Sequence, residues 1–206
     1  MTRLVIIRHG PTAWNADKRL QGHSDIPLSP EGRAMVATWR LPEGLERLRW
    51  VSSPLQRALD TARMLGAPDD IVLDHRLREI GYGAWEGMTY AEVAADVGED
   101  RLQAMQDAGL DYAAPGGESR RGFHDRLTGW LADVAVAGAP TLAFAHQGVI
   151  RALVALALDW DYVGEPPPDY AGLRIRAVAH EFTVAPGGAV GIVRLNLPLG
   201  AGARSD

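Results

Sequence analysis

The sequence predicts a three-layer α/β/α sandwich with a mostly parallel central sheet and a closing antiparallel hairpin. Three observations predict it. Short unbroken apolar runs, such as Leu4–Ile7 and Thr141–Ala145, have the length and character of strands buried on both faces. Capped amphipathic segments lie between such runs, and strand-helix alternation leads to a parallel sheet covered on both sides. Near the C-terminus two β-rich runs, Ala177–Val184 and Val190–Leu195, flank the turn "APGG", which reads as a hairpin.

Taken in order, Leu4–Ile7 opens the sheet. In "LSPEGRAMVATWRL", Ser29 caps a helix that has Pro30 at its first position. A short strand around Trp50–Ser52 follows. The next helix is expected to start with Ser53 as cap, Pro54 first and Gln56 completing a capping box, and Leu55, Leu59 and Ala62 share one of its faces. Ile71–Leu73 is a further short strand. Thr89 and Glu92 form a second capping box at "TYAEVAADV". Ser119–Gly138 is a long helix with a glycine stop. Thr141–Ala145 is a strand and Gly148–Leu158 an apolar helix. Residues 1–199 are expected to form one domain and 200–206 a disordered tail.

The bulk properties exclude several classes. The 206 residues are 47% hydrophobic, enough for a sizeable core. No cysteine is present, so thiolate and disulfide chemistry are absent and a reducing cytoplasm is the expected setting. The longest apolar run, Ala152–Leu158, is too short for a bilayer, and the N-terminus has no signal-peptide core. A net charge of −5 with mixed signs argues against nucleic acid as a partner. No two histidines stand at i, i+4 spacing, so no metal and no other cofactor is expected. The segment Val149–Trp160 is the candidate face for a homodimer.

In parallel α/β sheets, ligands sit beyond the carboxyl ends of the strands. Three strands here deliver polar residues to that edge: Arg8, His9 and Gly10 from the first; Ser52, Ser53 and then Arg57 from the second; His146, Gln147 and Gly148 from "TLAFA". Two guanidiniums suit a phosphate dianion, and Arg57 lies in a first helical turn, where free N–H groups favour anions. A neutral imidazole beside that phosphate can attack phosphorus and become phosphohistidine. A leaving alcohol needs a proton, and "RLREIGYGAWEG" offers Glu79 and Glu86, between which the residues themselves do not choose. His23, His75, His124 and His180 read as structural or surface groups; Arg174 and Arg176 are within reach of the mouth but read first as a strand-edge or surface pair.

Together "RHGPTAWN", "RLQGHSDIPLSPEG", "SSPLQRALDTA", "LREIGYGAWEG" and "AHQGVIR" resemble, in this order, the blocks of the histidine phosphatase superfamily, also called phosphoglycerate mutase-like. The resemblance covers about Arg3 to Leu197 and extends to small bacterial phosphatases of the alpha-ribazole phosphate type. It implies that His9 is the phosphorylated nucleophile, that Arg8, Arg57 and His146 surround the phosphoryl group, and that Asn15, with Thr12 in the same loop, contacts phosphate. It favours Glu79 over Glu86 as the proton donor. Gln147 stands where the family often has the first of two glycines, with consequences for pocket size.

The expected activity is metal-independent hydrolysis of a small phosphorylated metabolite through phosphohistidine. A glycolytic-type mutase would carry a basic insertion after the acid segment, whereas Met88–Ser119 holds one arginine, Arg101, no lysine and several acids. That acidity is expected to disfavour substrates with several phosphates. Mutase-type phosphoryl transfer is the alternative, and a catalytically inactive binding protein a further one.

Overall fold

A computed structural model describes residues 1–200; residues 201–206, which belong to the expected disordered tail, lie outside the described residues. The sheet has six strands: β1 (Thr2–Arg8), β2 (Arg49–Ser52), β3 (Val72–Leu73), β4 (Thr141–Ala145), β5 (Val178–Val184) and β6 (Val190–Pro198). Their spatial order is β3-β2-β4-β1-β5-β6. β1 and β2 both run parallel to β4, and β3 runs parallel to β2. β5 is antiparallel to β1, and β6 to β5, which is the expected closing hairpin.

The helices are α1 (Ala13–Ala16), α2 (Pro30–Ala37), α3 (Gln56–Met64), α4 (Tyr90–Val97), α5 (Glu99–Gln106), α6 (Arg120–Ala137), α7 (Gln147–Ala157) and α8 (Pro168–Ala171). Side chains alternate across a strand, so β1 splits its apolar run between two cores. Leu4 and Ile6 join one with α6 and α7, around Leu127, Trp130, Ile150 and Leu153. Val5 and Ile7 join the other with Val36, Trp39 and Ala62, where Trp50 stacks on Phe144 with centroids 5.2 Å apart. These two cores are the outer interfaces of the three-layer sandwich. A smaller cluster of Leu20, Trp85, Val93, Leu102 and Tyr112 carries α4 and α5 as an annex.

Most expected caps form. The Ser29 side chain accepts the Gly32 N–H, Thr89 and Glu92 make their reciprocal box, and Gly138 ends α6 at φ 62°. The start of α3 differs. Its N-cap is Leu55, with no side-chain capping bond, and the helix begins at Gln56. Ser53 is fully buried between β2 and β4, and its hydroxyl lies 2.8 Å from His146 Nε2. The same hydroxyl also accepts the Leu55 N–H at 3.3 Å, so Ser53 serves both the turn that leads into α3 and the buried imidazole. Gln56 instead donates its N–H to Asp25 Oδ1 at 2.7 Å. Within α3 the buried residues are Arg57, Ala58, Thr61 and Ala62; Leu59 is half-buried. In α7, Val149, Ile150 and Ala152–Ala155 are buried inside the chain, so the apolar character that made this segment a candidate dimer face is used by the core. Among the described residues, no helix is long and apolar enough to cross a membrane.

Candidate active site

Because β2, β4 and β1 are adjacent and parallel, their carboxyl ends meet. The chain leaves β1 under tight constraint: His9 N donates to Ala145 O at 3.0 Å and Gly10 N to Thr61 Oγ1 at 2.9 Å. A Cβ on Gly10 would overlap the Val36 side chain, so close seating on α2 requires glycine there. These ends form the floor of a cavity of about 620 Å³ lined by Arg8, His9, Asn15, Arg57, Glu79 and Gln147, among others.

His9 Nδ1 lies 2.6 Å from Gly10 O. A carbonyl only accepts, so Nδ1 carries the proton and Nε2 keeps its lone pair. Burial, and then the charges of Arg8 and Arg57, hold the His9 pKa well below the usual imidazole value. His146 is fully buried, its ring centroid 5.2 Å from that of His9. Burial and the charge of Arg57 lower its pKa in the same way. Burial pulls Arg8 down to about 10, against the attraction of Glu79, and it remains a cation at neutral pH. Arg57 donates from Nη1 to Ser24 O at 2.7 Å and from Nη2 to Gly22 O at 2.8 Å. Among the described residues, Arg8 Nε, Arg57 Nε and His146 Nδ1 are buried without a hydrogen-bond partner.

The two acids separate cleanly. Glu79 is on the cavity wall, with Oε1 accepting Ile80 N–H at 3.0 Å and Oε2 accepting Gly148 N–H at 3.1 Å. A Cβ on Gly148 would overlap Glu79 Oε1, so this second glycine position is restricted, while Gln147 beside it turns into the cavity wall. Glu86 lies elsewhere. Its carboxylate accepts the N–H groups of His23 and Ser24, each at 2.8 Å, and of Tyr82 at 3.2 Å. Burial pushes its pKa up, but these bonds and the Ser24 hydroxyl outweigh it, and the net shift is down. Glu86 thereby fixes the loop whose carbonyls hold Arg57.

Asn15 lines the cavity and Thr12 does not. Thr12 donates to Asn15 Oδ1 from its N–H at 3.0 Å and its hydroxyl at 3.2 Å, leaving the Asn15 NH₂ for other partners. Three of the other histidines have structural contacts, His23 Nε2 with Glu79 O, His124 Nε2 with the Tyr162 hydroxyl and His180 Nδ1 with Asn196 N–H, and His75 is exposed.

Three features were not legible beforehand. Ser53, read as a cap, is the partner of His146. Arg174 and Arg176, read first as a strand-edge or surface pair, stand on the cavity rim with Lys18, Arg19 and Arg151. The acidic insertion does not make the cavity acidic: of its residues only Tyr90 lines it, and Glu79 is the one acid on its wall among the described residues. Glu92 instead closes the α4 cap and pairs with the rim residue Arg19 at 3.1 Å, its own carboxylate off the cavity wall, and Asp111 pairs with Arg121 at 2.8 Å away from the cavity. Among the described residues, no group of three or more potential metal-ligating acids and histidines occurs.

The direction of the histidine shifts is testable. A base with a lowered pKa stays neutral as the pH falls through the usual value and protonates only below it. In ¹⁵N NMR, His9 and His146 should remain neutral at pH 6.5, with His9 protonated on Nδ1. A pKa for His9 at or above 6.5 would contradict the environment described.

Comparison with known proteins gives a consistent picture. Residues 4–179 match the model of the histidine phosphatase superfamily, branch 1. A protein of Mycolicibacterium vanbaalenii named glucosyl-3-phosphoglycerate phosphatase is 40% identical over 179 residues, covering 79% of each chain. Phosphoglycerate mutase-like protein 4 of Arabidopsis thaliana is 33% identical, covering 73% of this chain and 68% of its own. The structure of a mycobacterial glucosyl-3-phosphoglycerate phosphatase with VO3 matches with a TM-score of 0.73 at 31% identity, over 98% of this chain and all (100%) of that one. A six-stranded sheet of this order, three parallel strand ends that converge on one cavity and a family match over most of the length lead to one conclusion: this chain is a phosphatase that belongs to the histidine phosphatase superfamily.

Proposed function

We propose that this chain hydrolyses a small phosphomonoester through a phosphohistidine at His9, without a metal ion. The observation that carries the reading is the neutral His9 ring, with its proton held on Nδ1 by Gly10 O, beside two buried guanidiniums. Nε2 attacks phosphorus, the ester oxygen leaves, and the negative charge on the phosphoryl oxygens is met by Arg8, Arg57 and His146. The unpartnered Arg8 Nε, Arg57 Nε and His146 Nδ1 suit an anion at this point. Asn15 adds its amide, and Thr12 acts through Asn15. Glu79 gives its proton to the leaving oxygen and takes one from the water that then releases phosphate from His9. Gln147 narrows the entrance.

The rim cations Lys18, Arg19, Arg151, Arg174 and Arg176 favour a substrate with a second anionic group, such as a phosphorylated hydroxy acid. The similarity to proteins named for a glycosylated phosphoglycerate points the same way. Mutase-type transfer back to an intermediate is the second reading, favoured by relatives named mutase-like. It is the weaker because the insertion Met88–Ser119 puts no lysine or arginine on the main cavity to retain an intermediate.

Turnover of 4-nitrophenyl phosphate should survive a chelator and be abolished by His9→Ala; turnover unaffected by the substitution would sink the mechanism. Glu79→Gln should slow release of an alkyl alcohol at least about tenfold more than release of nitrophenolate, which hardly needs the proton. An equal loss on both esters would remove Glu79 as the acid. Ser53→Ala should lower kcat about tenfold, the scale of one lost hydrogen bond to a charge-stabilising group, with Ser53→Thr retaining activity. Wild-type kcat in Ser53→Ala would show that the bond to His146 is idle.

A further inference from the structure

Glu79 stands on a segment with little regular structure of its own. It lies between two one-turn 3₁₀ helices, His75–Leu77 and Gly83–Trp85, outside the sheet and the α-helices. Its backbone is held instead by two residues, Glu118 just before α6 and Arg126 within it. Arg126 donates from Nη2 to Glu79 O at 2.9 Å and from Nη1 to Arg76 O. Glu118 takes the other end of the segment: its N–H donates to Gly81 O at 2.8 Å, and its Oε2 accepts the Gly81 N–H at 3.4 Å. The two side chains are joined to each other, Nε to Oε1 at 2.6 Å and Nη2 to Oε2 at 2.9 Å. We propose that the Arg126–Glu118 pair is the positioning device of Glu79, setting where its carboxyl stands against the leaving oxygen. The inference rests on the reading of Glu79 as the proton donor.

The use of the donors is the first argument. A guanidinium carries five N–H groups in a rigid fork. Arg126 directs two bonds to the Glu118 carboxylate and two to carbonyls of the acid segment. A pair that only stapled the start of α6 would leave the second two to water. The side chains are 17% and 21% exposed and the contact is bidentate, the geometry in which an ion pair keeps one shape.

The carbonyl that Arg126 reaches is the second. His23 Nε2 donates to the same Glu79 oxygen at 2.9 Å, and His23 lies between the two carbonyls, of Gly22 and Ser24, that hold Arg57. One oxygen thus registers the acid against both α6 and the Arg57 loop.

The carboxylate end is referenced to the same helix. Glu79 Oε2 accepts the Gly148 N–H, and the Phe123 ring lies 3.4 Å from where a Cβ on Gly148 would stand. The Arg126 guanidinium covers that ring, 4.4 Å from its centroid. Phe123 and Arg126, one turn apart on α6, therefore support both ends of Glu79. Proton transfer needs heavy atoms within about 2.6–3.2 Å, and a misplacement of about 1 Å can cost about a hundredfold in rate. A planar fork meets that tolerance, whereas an ammonium on a flexible stem does not.

The test reads kcat/KM, which covers the steps up to release of the alcohol, on propyl phosphate and on 4-nitrophenyl phosphate. Arg126→Lys keeps the charge and loses the fork. It should lower kcat/KM at least about tenfold more for the propyl ester than for the nitrophenyl ester. In a Glu79→Gln background the same substitution should add nothing to that ratio, since no proton donor is left to place. Glu118→Gln, which sets a neutral amide against the guanidinium, should show the same selectivity, and it carries the test if Arg126→Lys does not fold. Equal losses on the two esters in these variants would make the pair a structural staple and overturn the proposal, as would a selectivity that persists in full in the Glu79→Gln background. Selective loss in Glu79→Gln alone, without it in Arg126→Lys and Glu118→Gln, refutes the positioning and leaves the proton donor standing. Equal losses on both esters in Glu79→Gln itself refute the proton donor, and the positioning with it.

Discussion

Two guanidinium groups held out of water, Arg8 at the end of β1 and Arg57 in the first turn of α3, are the constraint around which this molecule is arranged. A buried cation costs several kcal/mol unless partners replace its water. Arg57 gets two carbonyls from the loop at Gly22 and Ser24, and that loop is held in turn by the Glu86 carboxylate. Arg8 has the charge of Glu79 nearby and an Nε that no described residue satisfies. The same two charges, together with burial, keep both imidazoles neutral. In the proposed reading, the substrate's anion supplies the rest of that compensation at the cavity.

Net charge is a poor guide to such a site. The chain carries −5 overall, yet its cavity wall gathers Arg8, Arg57, Arg151, Arg174 and Arg176 around a single acid. The acids of the insertion are spent on helix caps and ion pairs. This local segregation of sign favours an anion at the mouth although the net charge of the chain is negative.

Much of the frame was legible because it is written in local patterns. Unbroken apolar runs, capping residues and the "APGG" turn mark strands, helices and the hairpin within a few residues. Arg8, His9 and His146 were legible because polar residues follow directly on buried strands. The Glu79–Glu86 choice was not legible from the residues alone, since both sit among turn glycines and only the folded loops show which one faces the cavity. Ser53 followed a cap pattern, and nothing local signals that a histidine far along the chain would claim its hydroxyl. Whether Arg174 and Arg176 reach the mouth was open in the sequence, because a rim is made by what lies opposite it.

The pairing of β1 with β4 has a consequence for how the protein comes into being. Leu4 lies beside Thr141 and Arg8 beside Ala145, so the central ladder joins segments far apart in the chain. Contacts of such long sequence separation fold slowly, because loop closure must precede their reward. On the ribosome His9 emerges well before Ala145, whose carbonyl anchors its backbone N–H. No fragment ending before β4 can assemble the cavity floor, and during that interval Leu4–Ile7 is an unpaired apolar strand in need of protection from aggregation.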